Sequence, residues 1–468
     1  MSCNNNIKSL VHLSSKTWLK DSNGLFDYES KQTKNAKAFI GESLYITRSG
    51  YEINGVKCLP SSQNQETLFS ITKSPNSIYQ INNFFQTNIE PTKKNISLLN
   101  NKIWYIANID PINNSQENNH FQNTNKDYYI TKNDIIKLGR VKYIVNEVNI
   151  ISEERKDNLN LPENDNNNKE NYINKLNANS GSIFNLVYKA KCLDDENIIE
   201  NNKEEKQLCK ICYSEEIDKN NPMVHLCNCK GGLNYAHYEC IKQWMKTKLI
   251  ILENKKKTVK TYYILGFNCE ICKTPYPFRF KLNNSEKIYE LIDIEKPINT
   301  NYIILESSNQ IKENSNIKSI HVISLIDDED IIIGRGHECD VRIKDISVSR
   351  IHSKLKFNPK EKTLLLKDLK SKFGTLILIR SPFEIKETIQ IQVGRTYIKA
   401  SVISFEELKQ FQKERQIERE KKVMEEIKSL TKEHLYKNDN LEPIETQYNE
   451  TENNKKEEGN NNMDIEDN

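Results

Sequence analysis

Seven cysteines and one histidine between positions 209 and 272 have the clearest capacity for chemistry. They form four short hooks: Cys-x2-Cys, Cys-x-Cys, His-x2-Cys and Cys-x2-Cys. Zinc binds four Cys or His side chains in a tetrahedron, and each hook of this kind supplies two of them. The eight side chains therefore predict two closed zinc sites, with the ligands Cys209, Cys212, Cys227, Cys229, His237, Cys240, Cys269 and Cys272.

These zinc ions are expected to be structural. Because protein fills every coordination position, no zinc-bound water remains to attack a substrate. The chain has 11 cysteines, and the clustering of seven in one segment is typical of metal binding in a reducing compartment rather than of a disulfide framework. His225 lies near the cluster, and we interpret it as a surface histidine rather than a ninth ligand.

A second group of polar residues lies in residues 331–376, between short runs that alternate like β-strands. Loops between strands are where binding groups are usually displayed on a rigid scaffold. An arginine offers a planar fork of donors that suits phosphate, a serine offers a hydroxyl donor, and a glycine allows a close backbone turn. The three loops contain Gly334-Arg335, Ser349-Arg350-Ile351-His352 and Ser371-Lys372-Phe373-Gly374-Thr375.

The composition bounds the class of protein. Of the 468 residues, 36% are apolar, so much of the chain is expected to be loop, linker or tail. The net charge of +3 argues against a dedicated nucleic-acid binder. No apolar run approaches the length of roughly 18 residues that predicts a membrane span. The first residues also lack the apolar stretch of a secretory signal, so we expect a soluble cytoplasmic or nuclear protein.

Patterns of polarity divide the chain into segments. Alternation of apolar and polar residues predicts β-strands on both sides of the cysteine cluster. Asn-rich tracts predict linkers, because they cannot bury enough surface to offset chain entropy. Strong helix formers without Gly or Pro predict one charged helix. The predicted segments are a disordered 1–30, a β-rich domain 31–155, a linker 156–182, the zinc module 205–280, a second β-rich domain 300–403, the helix 404–436 and a disordered tail 437–468.

The zinc segment resembles the RING-CH (RINGv) finger of MARCH-type ubiquitin ligases. The ligand order is C4HC3, and Trp244 follows Cys240 in CNCKGGLNYAHYECIKQW. The PHD finger shares the ligand order but places its characteristic tryptophan just before the last cysteine pair, so RING-CH is the better match. The resemblance implies a cross-brace, in which the first and third hooks hold one zinc and the second and fourth hooks hold the other. One departure is the long gap before Cys269, whose ENKKKTVK stretch we interpret as an exposed hairpin or loop.

The same resemblance implies a ligase that forms no covalent intermediate. Such ligases hold a ubiquitin-charged conjugating enzyme and bias its ubiquitin into a reactive pose, which is catalysis by orientation. By position, Ile211, Trp244 and Pro275 match the family's apolar surface for the conjugating enzyme, and Lys273 matches the basic position that can clamp ubiquitin. Local core packing is the alternative role for Trp244, and a solvated lysine is the alternative for Lys273.

Residues 331–376 resemble the FHA (forkhead-associated) domain, a β-sandwich whose members bind phosphothreonine. One departure is Phe373, where the family usually has an Asn that contacts the peptide backbone. DIIKLGRVKYIV in the first β-rich region resembles the last strands of such a sandwich, which makes a degenerate FHA-like domain at 31–155 a further prediction. The resemblance implies phosphopeptide contacts from Arg335, Ser349, Arg350 and Lys372, and structural roles for Gly334, His352, Gly374 and Thr375.

These patterns together predict a multidomain α+β/all-β chain. A small cross-braced RING-CH domain with two zinc ions and an FHA-type β-sandwich are joined by Asn-rich disordered linkers and followed by a C-terminal helix. The predicted function is a ubiquitin-protein ligase whose FHA domain docks phosphothreonine-containing proteins, with a conjugating enzyme and ubiquitin as its other partners. The alternative is a non-catalytic phosphoprotein-binding scaffold with a structural zinc finger.

Overall fold

The computed structural model describes residues 9–20, 24–28, 30–57, 65–82, 102–107, 128–151, 184, 186–193, 207–283, 285–308, 317–326, 329–386 and 388–438. The chain divides into two units, Met1–Ile403 and Ser404–Asn468. The predicted linker at 156–182 lies outside the described residues, as does the predicted tail beyond residue 438.

The first part of the chain consists of short strands in which buried and more exposed side chains tend to alternate. The prediction that residues 1–30 are disordered is wrong for the first strand, where Val11 and Leu13 are fully buried. That strand pairs with the second from Val11–Ile40 to Trp18–Thr33. The strands are β1 (Ser9–Trp18), β2 (Thr33–Ile40), β3 (Leu44–Ser49), β4 (Glu52–Val56), β5 (Glu66–Lys73), β6 (Tyr79–Asn82), β7 (Ile103–Ala107), β8 (Tyr128–Tyr129), β9 (Ile135–Leu138) and β10 (Val141–Asn149).

The zinc module combines small sheets with one short helix. Its helix buries Ile241 and Met245 against the module's core, while Glu239 in the first turn and Lys246 in the last turn suit the helix dipole. The elements are β11 (Val187–Cys192), β12 (Met223–His225), a 3-10 turn (Gly231–Leu233), β13 (Ala236–His237), α1 (Tyr238–Lys246), β14 (Leu249–Glu253), β15 (Val259–Leu265), β16 (Arg279–Leu282) and β17 (Ile288–Glu290).

A second series of strands follows the zinc module and ends in a helix. Side chains alternate strictly along β22, in which every second residue is buried. The elements are β18 (Tyr302–Ser307), β19 (Ile317–Ser324), β20 (Asp330–Gly334), β21 (Val341–Arg342), β22 (Ser353–Asn358), β23 (Thr363–Asp368), β24 (Thr375–Leu378), β25 (Phe383–Glu384), β26 (Ile389–Val393), β27 (Thr396–Ser404) and α2 (Phe405–Asn438).

Two β-sandwiches share one 12-stranded sheet, in the order β14-β15-β19-β18-β10-β9-β24-β7-β26-β27-β1-β2. The sheet β25-β6-β5-β3-β4 packs on one end of it, and we call this pair of layers the N-terminal sandwich. The sheet β21-β20-β22-β23-β8 packs on another part of the 12-stranded sheet, and we call this second pair of layers the C-terminal sandwich. The two sandwiches have matching strand orders and meet where β7 pairs with β24.

Each sandwich is completed by strands from the other half of the chain. β8, β9 and β10 follow β7 in sequence, but they pair with β23, β24 and β18 of the C-terminal sandwich. β25, β26 and β27 follow β24, but β25 pairs with β6, β26 pairs with β7, and β27 lies beside β1. Leu138 is therefore buried in the C-terminal core, and Ile391 is buried in the N-terminal core.

This exchange corrects the predicted domain boundaries. Residues 31–155 and 300–403 are not two separate domains, because each contributes its closing strands to the other's sandwich. The exchange is possible because the closing hairpins, IIKLGRVKYIV at 135–145 and IQIQVGRTYIKASV at 389–402, have nearly the same apolar pattern and the same Gly-Arg turn. A hairpin with either sequence presents a similar apolar face to a sandwich.

The zinc module is joined to the C-terminal sandwich by a continuous sheet. β14 and β15 form the hairpin predicted for the gap before Cys269, but only β14 and the turn are exposed. β15 pairs with β19 along its whole length, and Thr261 on β15 is hydrogen-bonded to buried His321 on β19 at 2.9 Å. Tyr262 and Ile304 belong to the module's hydrophobic core. The module is therefore attached to the sandwich through paired backbone and a shared core.

The C-terminal helix α2 is highly charged, as predicted. Ser404 and Glu407 cap its N-terminus reciprocally: the Ser404 N–H donates to the Glu407 carboxylate at 2.6 Å, and the Glu407 N–H donates to the Ser404 hydroxyl at 3.2 Å. Gln410 and Glu414 form a side-chain hydrogen bond one turn apart. Within the part of the chain that the structure describes, no helix combines the length and apolarity needed to cross a bilayer.

Candidate functional site

The first metal cluster joins the first and third hooks. The ligand atoms of Cys209, Cys212, His237 and Cys240 all lie within 4.8 Å of one another. His237 presents Nδ1, which is 3.3 Å from Cys212 Sγ and 3.7 Å from Cys240 Sγ. Its Nε2 lies 2.5 Å from the carbonyl oxygen of Glu216, and this hydrogen bond fixes the orientation of the ring.

The second cluster joins the second and fourth hooks. The thiols of Cys227, Cys229, Cys269 and Cys272 lie within 4.8 Å of one another. Lys210, from the first hook, places its ammonium 3.0 Å from Cys227 Sγ and 4.0 Å from Cys269 Sγ. Four thiolates around one divalent cation leave a net negative charge. The lysine partly offsets that charge, because opposite charges attract strongly at this distance.

The first and last hooks share one backbone turn. The Tyr213 N–H donates to the Cys209 carbonyl at 2.8 Å, and the Lys273 N–H donates to the Cys269 carbonyl at 2.9 Å. Tyr213 and Lys273 both have positive φ, 60° and 58°. The turn also points the Ile211 N–H at Cys209 Sγ, 3.4 Å away. Two sets of four soft ligands with N–H groups directed at sulfur fit two structural zinc ions, and their pairing is the implied cross-brace.

The three loops of the C-terminal sandwich converge on one surface. The Arg335 N–H donates to the Ser349 carbonyl at 2.9 Å, and its Nε donates to the Val348 carbonyl at 3.2 Å. The Lys372 N–H donates to the Ser349 hydroxyl at 3.1 Å. The side chains of Arg335, Arg350 and Lys372 are exposed and Ser349 is half-buried. The structure thus brings a guanidinium, a hydroxyl and an ammonium into one region.

Buried residues brace these loops. His352 accepts the Ser349 N–H at Nδ1 (3.1 Å) and bonds the Gly374 carbonyl through Nε2 (3.2 Å), an arrangement that requires the neutral ring. Burial lowers the pKa of His352 to about 4, although the bond to Gly374 opposes this shift. A side chain at Gly334 would place its Cβ 2.2 Å from the carbonyl oxygen of Arg350, so only glycine fits there.

Two family models match the regions of the chain that hold these residues. The family model "RING-variant domain" matches residues 209–272, and the family model "FHA domain" matches residues 331–394. The chain contains a RINGv domain and an FHA domain. The FHA match crosses the strand exchange, since β20 to β24 lie in the C-terminal sandwich while β26 lies in the N-terminal one.

Curated relatives match the RINGv part of the chain. The probable E3 ubiquitin-protein ligase MARCHF10 of Rattus norvegicus is 36% identical over 85 residues, which are 18% of this chain and 10% of the relative. The ERAD-associated E3 ubiquitin-protein ligase DOA10 of Saccharomyces cerevisiae is 33% identical over 84 residues, 18% of this chain and 6% of the relative. This chain therefore spans a tenth or less of the length of these relatives.

Solved structures similar to the FHA region include the FHA domain of a Chlamydia trachomatis protein. It is 19% identical, covers 22% of this chain and 97% of its own, and has a TM-score of 0.12. Another comes from work titled "Structural and functional analysis of phosphothreonine-dependent FHA domain interactions". It is 22% identical, covers 21% of this chain and 94% of its own, and has a TM-score of 0.12.

The surface residues predicted for the RINGv domain differ in exposure. Ile211 is 39% exposed, and Pro275 and Lys273 also lie on the surface. Trp244 is only half-buried: it packs edge-on against Tyr276 with ring centroids 5.9 Å apart, and the Lys248 ammonium lies 5.2 Å from its ring centroid. Trp244 therefore packs locally, as its alternative role required, and still presents part of its surface.

Sequence reasoning missed three residues at these sites. Ile271 is 57% exposed and occupies in the last hook the place that Ile211 occupies in the first, which the repeated pattern CxIC could have revealed. Lys210 left no comparable sequence pattern, because its partner thiols are distant in sequence. Asp368 is buried and accepts the hydroxyls of Ser371 and Thr375, both at 2.6 Å, which holds the loop that carries Lys372.

Proposed function

We propose that this protein is a zinc-dependent ubiquitin-protein ligase of the RINGv type, and that its FHA domain docks phosphothreonine-containing partners. The observation that carries the proposal is the cross-braced pair of four-ligand clusters, with Ile211 and Pro275 both exposed within two or three residues of zinc ligands in the first and last hooks. The naming of the curated relatives as ubiquitin ligases supports the same activity.

The RINGv domain acts by binding and orientation. Bound zinc supplies fixed cross-links that hold the hooks in place, with no open coordination position. Ile211, Pro275 and the exposed part of Trp244 contact the conjugating enzyme through apolar surface. Lys273, held at positive φ just after the last ligand, reaches the ubiquitin carried by that enzyme. Restricting the ubiquitin to a reactive pose lowers the entropic part of the barrier to transfer.

The FHA domain supplies a phosphate-binding surface. The Arg335 guanidinium and the Lys372 ammonium provide charge-assisted donors, and the backbone N–H groups of both residues are bonded to Ser349, whose hydroxyl is the third group. Two or three such bonds, at about 1.5–3 kcal/mol each, discriminate phosphorylated from bare threonine. His352 and Gly334 position the loops and do not contact the ligand.

The pairing of β15 with β19 joins the RINGv domain to the C-terminal sandwich through one continuous sheet. A docked phosphoprotein is then held at a fixed separation from the conjugating enzyme, without the spread of positions that a flexible linker would allow. Fixing the geometry raises the effective concentration of those acceptor lysines that lie at the right distance and excludes others. We therefore expect ubiquitination at a narrow set of lysines on each partner.

The ligase proposal is tested by autoubiquitination of the full chain with a panel of conjugating enzymes. Ile211→Ala should reduce product at least about tenfold while two zinc ions per chain are retained, because it removes an apolar contact and no ligand. Ile346→Ala, an equally conservative change at an exposed isoleucine on the sandwich, is the matched control and should leave the rate unchanged. No product with any conjugating enzyme, at full zinc occupancy, would refute the ligase activity.

The scaffold alternative predicts a different pattern in cells. Cys240→Ala removes a zinc ligand, and structural zinc contributes on the order of 10–16 kcal/mol to folding such a domain. The variant should therefore lose the ligase activity and the scaffold function alike. If Ile211→Ala preserves the cellular function while Cys240→Ala abolishes it, the zinc module serves only as a binding surface.

A further inference from the structure

The strand β14 forms one end of the 12-stranded sheet. On one side it pairs with β15 along its whole length, from Leu249–Ile264 to Glu253–Lys260. Within the part of the chain that the structure describes, no strand pairs with its other side. An open edge of this kind presents a row of backbone groups to which another strand can be added.

The hydrogen bonds at the two ends of β14 show which of its backbone groups face the open edge. The Leu265 N–H donates to the Lys248 carbonyl at 2.8 Å, and the Asn254 N–H donates to the Val259 carbonyl at 3.0 Å. Bonded positions alternate along an antiparallel pair, so every second residue between Lys248 and Asn254 also faces β15. The N–H and C=O groups of the residues in between, at positions 249, 251 and 253, therefore point outward.

The side chains along this edge are apolar and exposed. Ile250, Ile251 and Leu252 are 44%, 45% and 46% exposed, and no charged residue lies in this run. The strand at the other end of the sheet, β2, carries Lys34 and Lys37 instead. Lysines on an edge strand oppose the addition of a further strand. Because β14 lacks this protection, its edge favours association where the edge of β2 does not.

We propose that β14 pairs antiparallel with β14 of a second copy of this chain, centred on Ile251, and so forms a symmetric dimer. In this register Ile251 lies opposite Ile251 of the second copy, and Leu249 lies opposite Glu253. Every outward-facing N–H and C=O of both strands then has a partner. Centring the pair on Ile250 or Leu252 would leave the backbone groups of Glu253 or Leu249 outside it.

The side chains are compatible with the same register. Ile250 of each copy lies opposite Leu252 of the other on one face of the sheet, and the two Ile251 side chains meet on the opposite face. Directly opposed apolar side chains stabilise a pair of antiparallel strands. The sequence of β14 therefore complements itself without bringing a charge against a like charge.

The charges that flank β14 favour a second copy in this orientation. The turn after β14 contains three lysines, Lys255, Lys256 and Lys257. An antiparallel pair places these turns at opposite ends of the interface, whereas a parallel pair would bring them together. A two-fold pair also closes the open edge of both copies, so that assembly stops at the dimer. The inference does not depend on the proposed ligase activity or on phosphothreonine docking.

The test is sedimentation velocity of the full chain over a range of micromolar concentrations, because an edge of five residues per copy is a small interface. The wild type should change from monomer to dimer over this range. Ile251→Lys places two lysines directly opposite one another and should raise the dissociation constant at least about tenfold. Ile346→Lys makes the same change at an isoleucine that is 84% exposed on the sandwich, and it should dimerise like the wild type.

A charge reversal tests the register. Ile251→Glu alone should also be monomeric, but a mixture of Ile251→Glu and Ile251→Lys should form a heterodimer, since position 251 lies opposite itself. Thermal unfolding and zinc content of each variant should match the wild type, which confirms that the fold is intact.

Each contrary result bears on a different part of the inference. A wild type that stays monomeric at every concentration, or a dimer that Ile251→Lys leaves intact, overturns the pairing of β14 with a second copy. Growth beyond the dimer overturns the symmetric arrangement and indicates a head-to-tail contact. If the oppositely charged variants remain monomeric when mixed, the register centred on Ile251 is wrong.

Discussion

The two sandwiches have matching strand orders but differ in the connection between two corresponding strands. In the N-terminal sandwich, β3 and β4 are antiparallel, and Gly50 and Tyr51 join them in a tight turn with Gly50 at φ +62°. In the C-terminal sandwich, the strands at the same place in the sheet, β20 and β21, run parallel and are joined by residues 335–340. Arg335 is the first residue of that longer connection, and the N-terminal turn has no room for a counterpart.

This difference shows where the binding chemistry resides. Both scaffolds bury an extensive apolar core, and neither core dictates a ligand. The groups proposed to bind phosphate lie on loops of the C-terminal sandwich, and the connection that begins at Arg335 has no counterpart in the short turn between β3 and β4. The N-terminal sandwich contributes instead through exchanged strands, so the two sandwiches are unequal parts of one structure.

The largest expected effect tests the strand exchange itself. Leu138→Ala and Ile391→Ala each truncate a buried side chain, and each should lower the free energy of unfolding by about 2–5 kcal/mol. Because Leu138 packs in the C-terminal core, its truncation should accelerate amide hydrogen exchange in β20, β22 and β23. Ile391 packs in the N-terminal core, so its truncation should accelerate exchange in β3, β5 and β6.

Each variant serves as the control for the other in this experiment. The exchange predicts that Ile391→Ala, although it lies within the FHA match, largely spares the loops that are proposed to bind phosphate. Faster hydrogen exchange in β20 to β23 for Ile391→Ala and in β3 to β6 for Leu138→Ala would show that each half of the chain keeps its own closing strands. The two sandwiches would then be two independent domains.

The strand exchange also marks the limit of what the sequence could predict. The zinc ligands were predictable because a metal imposes a local spacing. Which sandwich each closing hairpin joins was not predictable, because both hairpins have the same Gly-Arg turn and apolar pattern. Only their tertiary partners distinguish them. The strand β1 was missed because it buries Ser15 and Thr17, whose hydroxyls bond the Ala36 carbonyl at 3.3 Å and the Thr396 hydroxyl at 3.1 Å. Burial of such polar side chains weakens the hydrophobic pattern.

The next effect concerns the loop that only one sandwich has. Arg335→Ala should weaken binding of phosphothreonine peptides roughly 10- to 100-fold, because it removes a charge-assisted contact worth about 1.5–3 kcal/mol. Lys360→Ala removes an exposed cation from a different turn of the same sandwich, and it should change affinity less than twofold. Isothermal titration with one peptide compares the three proteins. An equal loss in both variants would indicate non-specific attraction to a basic surface.

Lowering the pH should reduce the free energy of unfolding by a comparable amount, mainly through two histidines of the C-terminal sandwich. Burial lowers the pKa of both His352 and His321 to about 4, below the value of about 6.5 for an unfolded chain. Because the folded state resists protonation, the stability linked to each histidine is present above about pH 6.5 and is lost as pH falls toward 4. At pH 5 the loss is about 2 kcal/mol per histidine.

Urea unfolding at pH 7 and pH 5 measures this effect. His352→Gln keeps an amide that can donate and accept hydrogen bonds but does not titrate, so its loss of stability between the two pH values should be smaller than that of the wild type by about 2 kcal/mol. The quantity compared between the two proteins is the change in the free energy of unfolding from pH 7 to pH 5. The absolute free energy is not compared, since the substitution itself alters packing. An identical pH dependence in the two proteins would show that His352 titrates normally in the fold.

The smallest effect concerns the ion pair between the two sandwiches. Lys372 and Asp27 are 61% and 34% exposed, so their pair should contribute no more than about 1 kcal/mol to stability. Asp27→Asn removes a negative charge that competes with phosphate for Lys372, and it should strengthen phosphopeptide binding about two- to threefold. Asp27→Glu, which keeps the charge, should bind like the wild type. Weaker binding by Asp27→Asn would mean instead that Asp27 orients Lys372 for the phosphate. The N-terminal sandwich would then be part of the proposed phosphate-binding site through Asp27.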